Sequence, residues 1–208
     1  MMVDTQIRPS DVTKFPIIDA MLHVPREIFV PDHLREAAYV GENLDIGGGR
    51  VMLEPRTLAK MLDALEIQPD QVALDIGCGL GYSTAVLAHL CDFVVGVEDD
   101  EGPAEEAQTL LSGQGTDNAA VMTGPLVDGA AKSGPYDIIM LQGAVEVVSA
   151  PLLDQLRDGG RIACVFAEGS LGVVKIGHKI DGVVNWRFGF NAGAPVLPGF
   201  KKQPAFAL

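Results

Sequence analysis

Val72-Ala73-Leu74-Asp75-Ile76-Gly77-Cys78-Gly79-Leu80-Gly81-Tyr82 decides the fold. An apolar run leads into an acid and then into three alternating glycines. Glycine adopts φ > 0 readily and carries no Cβ, so such a loop can turn sharply and lay its backbone against a ligand. Ser83-Thr84-Ala85-Val86-Leu87-Ala88 follows and reads as the opening of a helix. Strand, glycine loop and helix start, in that order, form a nucleotide-type cradle. The alternative is a glycine-rich turn that holds nothing, and the flanking strand and helix argue against it.

A second acid narrows the ligand. Phe93-Val94-Val95-Gly96-Val97-Glu98 is a β-branched run ending in a carboxylate, with Asp99 and Asp100 behind it. A carboxylate about 20 residues past a glycine loop is placed to accept hydrogen bonds from ribose hydroxyls. Read alone, Glu98 would be a solvated strand end. Dinucleotide sites use G-x-G-x-x-G with helix amides facing a pyrophosphate. Here the spacing is Gly77-x-Gly79-x-Gly81, and Asp75 would repel a pyrophosphate. A nicotinamide-dependent oxidoreductase therefore fits poorly. S-adenosylmethionine fits: it has a ribose, an adenine, a cationic amine and a sulfonium, and no phosphate.

Outward from the loop, short apolar runs alternate with helical segments. Strands are predicted near 72–76, 93–98, 119–123, 136–141 and 161–166, and helices near 81–90, 103–113 and 151–157. That alternation predicts an α/β fold with a doubly wound, mostly parallel sheet. After Gly169, runs 173–180 and 183–190 flank Asp181-Gly182, a strong hairpin signal, and predict an antiparallel C-terminal edge. Upstream, 16–24, 33–38 and 56–65 read as helices, with Pro55 near the first turn of the last. The chain thus divides into a helical N-terminal extension with a substrate loop (1–70) and an S-adenosylmethionine-binding Rossmann-like domain (71–208). Pro195–Phe200 and Phe206 are expected to pack on their own domain or on a neighbour.

Composition sets bounds. The chain has 208 residues and a formal net charge of −13. Such an acidic balance disfavours nucleic acid, whose binding relies on Lys and Arg against phosphates, and anionic membrane surfaces. No run approaches the roughly 20 apolar residues of a membrane span. The first residues lack the apolar core of a secretory signal, so a cytoplasmic location is expected. Cys78, Cys91 and Cys164 read as buried thiols in a reducing compartment. The four histidines lie far apart without metal-ligand spacing, so no metal is expected.

Ile46-Gly47-Gly48-Gly49-Arg50-Val51-Met52-Leu53-Glu54-Pro55 stands just ahead of the cradle. Three consecutive glycines serve flexibility or close approach rather than core packing. The stretch reads either as a linker or as a lid or substrate loop. Arg50 is the one candidate catalytic group. A guanidinium can hold a carboxylate bidentately, although a solvated loop arginine is the commoner case.

Taken together, Val24–Pro31, Ala38-Tyr39, Leu44–Gly47, Pro55, Leu74–Tyr82, Val97-Glu98, Tyr136–Ile139 and Gln155–Ile162 resemble the protein-L-isoaspartate O-methyltransferase family along nearly the whole chain. The resemblance implies a class I methyltransferase fold and S-adenosylmethionine as cofactor. It also implies methyl transfer to the carboxylate of isomerised aspartyl residues, with a protein or peptide as substrate. Its first motif implies cofactor contacts from Asp75, Gly77, Cys78, Gly79, Gly81 and Tyr82. Its ribose position implies Glu98 and Asp99. Its adenine position falls on Gly124, Pro125 and Leu126.

Two residues depart from the family's pattern. Leu53 stands where the family has a serine assigned to the active site. Pro125 stands where it has an aspartate near the adenine amine, which leaves backbone carbonyls, apolar stacking or Gln142 for that ring. A carboxylate acceptor, with an ordinary pKa near 4, is already ionised at neutral pH and needs no general base. The alternative reading is a non-catalytic S-adenosylmethionine-binding protein that has lost the isoaspartyl site. Oligomeric state is left open by the sequence.

Overall fold

The structure, a computed structural model, describes residues 2–169 and 171–202. Phe206 lies outside the described residues. In chain order the elements are α1 (Phe15–His23), β1 (Leu44–Gly47), β2 (Arg50–Met52), α2 (Pro55–Leu65), β3 (Val72–Ile76), α3 (Tyr82–Ala88) and β4 (Phe93–Glu98). Then follow α4 (Glu101–Gly113), β5 (Ala119–Thr123), β6 (Tyr136–Val145), α5 (Ala150–Asp154), β7 (Leu156–Glu168), β8 (Leu171–Ile180) and β9 (Val183–Asn191).

Seven strands form one sheet in the order β5-β4-β3-β6-β7-β8-β9. The first five run parallel; β8 and β9 are antiparallel to their neighbours. The order reverses between β3 and β6. At that switch point the crossovers leave to opposite sides and a crevice opens beyond the strands' carboxyl ends. The β8–β9 turn is as predicted: Asp181 (φ 52°) and Gly182 (φ 78°) are both left-handed, which suits a two-residue turn matching strand twist.

Two apolar layers cover the sheet. On one face α2 presents Leu58, Met61, Leu62 and Leu65, the i, i+3, i+4, i+7 stripe of an amphipathic helix. With Val3, Ile7, Ile17, Met21 and Phe29 they form a core continuous with Ala73, Val86 and Ile138. The first seventy residues therefore share a core with the sheet. On the other face Tyr136, Leu152, Leu126 and Phe200 pack together.

Local boundaries moved for identifiable reasons. The helix expected over 151–157 stops at Asp154 because Leu156 already pairs with Tyr136 in the sheet. Gln155 turns its amide to Asp128 and Pro151 carbonyls. β6 runs on to Val145, past a register shift between Met140 and Ala144. His33–Ala38 is a 3₁₀ segment, Asp32–Ala37. The glycine stretch is not a linker: β1 and β2 pair as a hairpin around Gly48-Gly49, whose φ values of 61° and 74° make the same type of turn.

Candidate functional site

The cradle begins where β3 ends. Gly77, Gly79 and Gly81 all have left-handed φ (73°, 57° and 96°), a region that penalises a side chain. Gly77 N–H donates to the Val97 carbonyl at 2.8 Å, tying the loop to β4. Gly81 caps α3, its carbonyl accepting from Ala85 N–H at 2.9 Å. A Cβ on Gly79 would come within 2.8 Å of Ile46, so the hairpin already lies against the loop.

Asp75 is fully buried beneath this loop. Oδ2 accepts from the Ser83 hydroxyl (2.6 Å) and the Thr84 hydroxyl (2.7 Å); Oδ1 accepts from Gln142 Nε2 (2.7 Å). Burial pushes its carboxyl above the ordinary range, and the three donors pull the other way. Asp75 thus clamps β3, the first turn of α3 and β6 together. Its expected role as a free anion facing the ligand needs correction, since the carboxylate is fully buried and does not line the cleft.

Gln142 is corrected likewise. It sits at the β6 end of the sheet, whereas Gly124 and Pro125 follow β5. Three strand spacings of about 4.8 Å separate those strands, roughly 14 Å. One adenine cannot meet both, and the Gln142 amide is engaged with Asp75. The Leu126 side chain is also withdrawn, packed in the core with Tyr136 and Leu152. Gly124 N–H donates to the Glu98 carbonyl at 2.9 Å, which keeps the β5 end beside Glu98.

Tyr82 and Cys78 support the loop from below. The Tyr82 ring lies under the Arg26 guanidinium, 4.8 Å from its centroid, and against Phe29. Cys78 Sγ would be 3.1 Å from a Cβ on Gly96, which explains glycine within β4. Burial raises the Cys78 thiol well above its ordinary value, so it is no nucleophile. Leu53, at the family's serine position, is buried in the core, and its carbonyl accepts from Arg26 Nη2 at 2.7 Å.

Glu98 and Arg50 meet at the mouth. Glu98 is 2% exposed and Arg50 9%. Arg50 Nη1 donates to Glu98 Oε1 at 2.5 Å and to Asp99 Oδ1 at 3.0 Å; Nη2 donates to Glu98 Oε2 at 3.2 Å. Gly79 N–H also donates to Oε2, at 2.6 Å. Burial pushes the Glu98 carboxyl up, and the arginine opposes that shift. The expected carboxylate-binding arginine does hold carboxylates, but they are the protein's own.

Beyond this pair opens a cleft of about 640 Å³, lined by Ile46, Gly47, Gly48, Gly79, Leu80, Glu98, Asp99 and Asp100 among others. A groove of about 730 Å³ lies elsewhere, around Phe15, Leu62 and His89, by the strands' amino ends. Sequence reasoning missed what seals the other side of the crevice. Leu197 lies on Gly77 and Gly143; a Cβ on Gly143 would stand 2.6 Å from Leu197 Cδ2. The stretch 195–200 is fixed by Ala144 N–H to the Pro195 carbonyl and Leu197 N–H to the Ala144 carbonyl, both 2.8 Å. It packs on its own domain. Gly143 was the available signal, a glycine inside a mostly apolar strand.

Fold and site define the class first: a Rossmann-like methyltransferase architecture, with its glycine cradle and strand-end carboxylate at the switch point. A model of the protein-L-isoaspartate(D-aspartate) O-methyltransferase family matches residues 2–185. A protein-L-isoaspartate O-methyltransferase of Syntrophus aciditrophicus is 37% identical over 161 residues, covering 77% of this chain and 74% of that one. One from Roseiflexus castenholzii is 37% identical over 161 residues, covering 77% and 73%. A solved protein-L-isoaspartate O-methyltransferase shares the fold at TM-score 0.81 and 22% identity; the match covers 92% of this chain but 63% of that longer one. A putative one from Plasmodium falciparum, in complex with S-adenosyl-L-homocysteine, matches at TM-score 0.79 and 18% identity over 91% and 94%. The chain belongs to the protein-L-isoaspartate(D-aspartate) O-methyltransferase family.

Proposed function

We propose that this chain is an S-adenosylmethionine-dependent O-methyltransferase that esterifies the carboxylate of isoaspartyl residues in proteins or peptides. The observation that carries the reading is Glu98: a buried strand-end carboxylate hydrogen-bonded to the glycine loop and opening onto the cleft. The cofactor suits this place. The cleft volume falls in the range of small-molecule sites. Glu98, Asp99, Asp100, Glu101 and Glu106 line it, which favours a cationic ligand. Gly77, Cys78, Gly79 and Gly81 would hold the cofactor through backbone, Glu98 and Asp99 through its ribose, and Gly124 and Pro125 on the adenine side. When bound, it supplies an electrophilic methyl group on a sulfonium.

The chain's own residues have a modest task. A carboxylate acceptor is ionised at neutral pH, so no side chain has to remove a proton. What remains is orientation, from which well-placed reactants gain roughly 7–11 kcal/mol. Leu53 offers no donor for this, and Arg50 is the guanidinium at hand. The described residues include no helix long and apolar enough to cross a membrane. Three free buried cysteines suit work on damaged proteins in a reducing cytoplasm.

Incubation with methyl-labelled cofactor and an isoaspartyl peptide, followed by base hydrolysis, tests the reading. Volatile methanol above a Gly79→Arg control is expected; counts equal to that control would overturn it. The second reading, a cofactor-binding protein without turnover, draws on the buried Leu53 at the serine position. Calorimetric binding of S-adenosylhomocysteine without methyl release from any peptide of a library would select it.

A further inference from the structure

A carboxylate offers about four lone-pair sites, and those of Glu98 are filled. Oε1 accepts from Arg50 Nη1 and from Asp99 N–H; Oε2 accepts from Arg50 Nη2 and from Gly79 N–H. The two backbone donors belong to the glycine loop and to the end of β4 and stay in place. A ribose can therefore gain Glu98 only by replacing the guanidinium. Arg50 also covers the bare loop, since a Cβ on Gly77 would stand 2.5 Å from its Nη2.

We propose that Arg50 is a competitor for the ribose position, and that the guanidinium displaced when cofactor binds is the group that orients the acceptor's carboxylate. This rests on the cofactor reading above. Three observations support the exchange. Arg50 Nε is buried without a hydrogen-bond partner, so the resting pair leaves one donor unsatisfied. The hairpin that carries Arg50 has strands of four and three residues, and a Cβ added at either tip glycine would meet nothing within 4 Å. Finally, Arg50 is the sole cation among the described residues lining the cleft, against five carboxylates. An anionic acceptor entering that cleft has no other positive side chain there to meet. While Arg50 is bound to Glu98 and Asp99 it cannot serve. Neutral ribose hydroxyls on Glu98 release it. Cofactor must then bind before acceptor, and each strengthens the other.

Calorimetry with S-adenosylhomocysteine tests the first half. Arg50→Met is expected to tighten binding by about tenfold, because the tax of displacing the arginine disappears. Arg50→Lys, one point charge instead of a fork, is expected between the two. With cofactor saturating, Arg50→Met is expected to raise the KM for an isoaspartyl peptide by about tenfold with kcat within about threefold. A folded Arg50→Met or Arg50→Lys variant that binds the product no tighter than wild type would overturn the competition. A kcat loss without a KM change would overturn the acceptor role. Failure of wild type and both variants alike to bind the product would instead sink the cofactor reading, and this inference with it.

Discussion

Asp75 and Glu98 are buried carboxylates at the tips of adjacent strands, one beneath and one beside the same glycine loop. Asp75 is held by Ser83, Thr84 and Gln142, three neutral donors from elements directly joined to its strand or paired with it. Glu98 is held by a guanidinium from a hairpin 48 residues upstream. The same division runs along the crevice. On the β6 side Leu197 and the backbone of 195–200 close it with hydrogen bonds and apolar contact. On the β4 side an acidic cleft stays open under a short hairpin. One acid shapes the cradle; the other is left for a ligand to claim.

The largest effect should come from the shaping acid. Asp75→Ala strands two hydroxyls and an amide in a buried site. Hydrogen bonds to charged groups contribute about 1.5–3 kcal/mol each, and orphaned donors add their desolvation, so a loss of about 4 kcal/mol is expected by urea unfolding. A loss below about 1 kcal/mol would erase the contrast with Glu98. Leu197→Ala should come next, at about 3 kcal/mol from lost transfer energy and the cavity left behind. A near-neutral result would mean that the β6 side is covered rather than sealed.

How much of this contrast the sequence carried depends on the distance over which each signal acts. The cradle was legible because strand, glycines and helix start are contiguous, and the Asp181-Gly182 turn for the same reason. Asp75's partners were half visible: Ser83 and Thr84 open the very helix the loop leads into, but Gln142 arrives by strand pairing. Arg50 was singled out for the right chemistry and the wrong carboxylates, because nothing local ties it to Glu98. Leu197 on Gly143 left only a glycine in an apolar run. The register shift that carries β6 on to Val145 has no local marker apart from it.

The Arg50–Glu98 pair should be weaker than the Asp75 network, and its weakness should depend on pH. Arg50→Met leaves Glu98 buried without its cation, and a cycle with Glu98→Gln is expected to show about 2 kcal/mol of coupling. Burial already holds Glu98 above its ordinary value of 4.5, and removing the arginine raises it further. A carboxyl with a raised folded pKa favours the native state fully below its unfolded value and loses that contribution as pH climbs through the folded one. The stability difference between Arg50→Met and wild type should therefore be constant at acid pH and widen as pH rises through the folded value of wild-type Glu98, which lies above 4.5. Parallel curves across that range would show that the pair is not what holds Glu98 charged.

The smallest effect tests whether the hairpin is the removable part. Gly48 has φ 61° and open space around its missing Cβ, so a substitution there acts through backbone alone. Gly48→Ala should cost about 1 kcal/mol, the penalty of a left-handed L-residue, and Gly48→Asn less, since Asn tolerates that region. If the hairpin is an independent cover, the loss should appear as faster amide exchange across Leu44–Met52, with protection at β3 and β6 unchanged. If protection falls equally at Asp75 and Gln142, the two carboxylates belong to one cooperative unit, and Arg50 cannot leave Glu98 without disturbing the cradle.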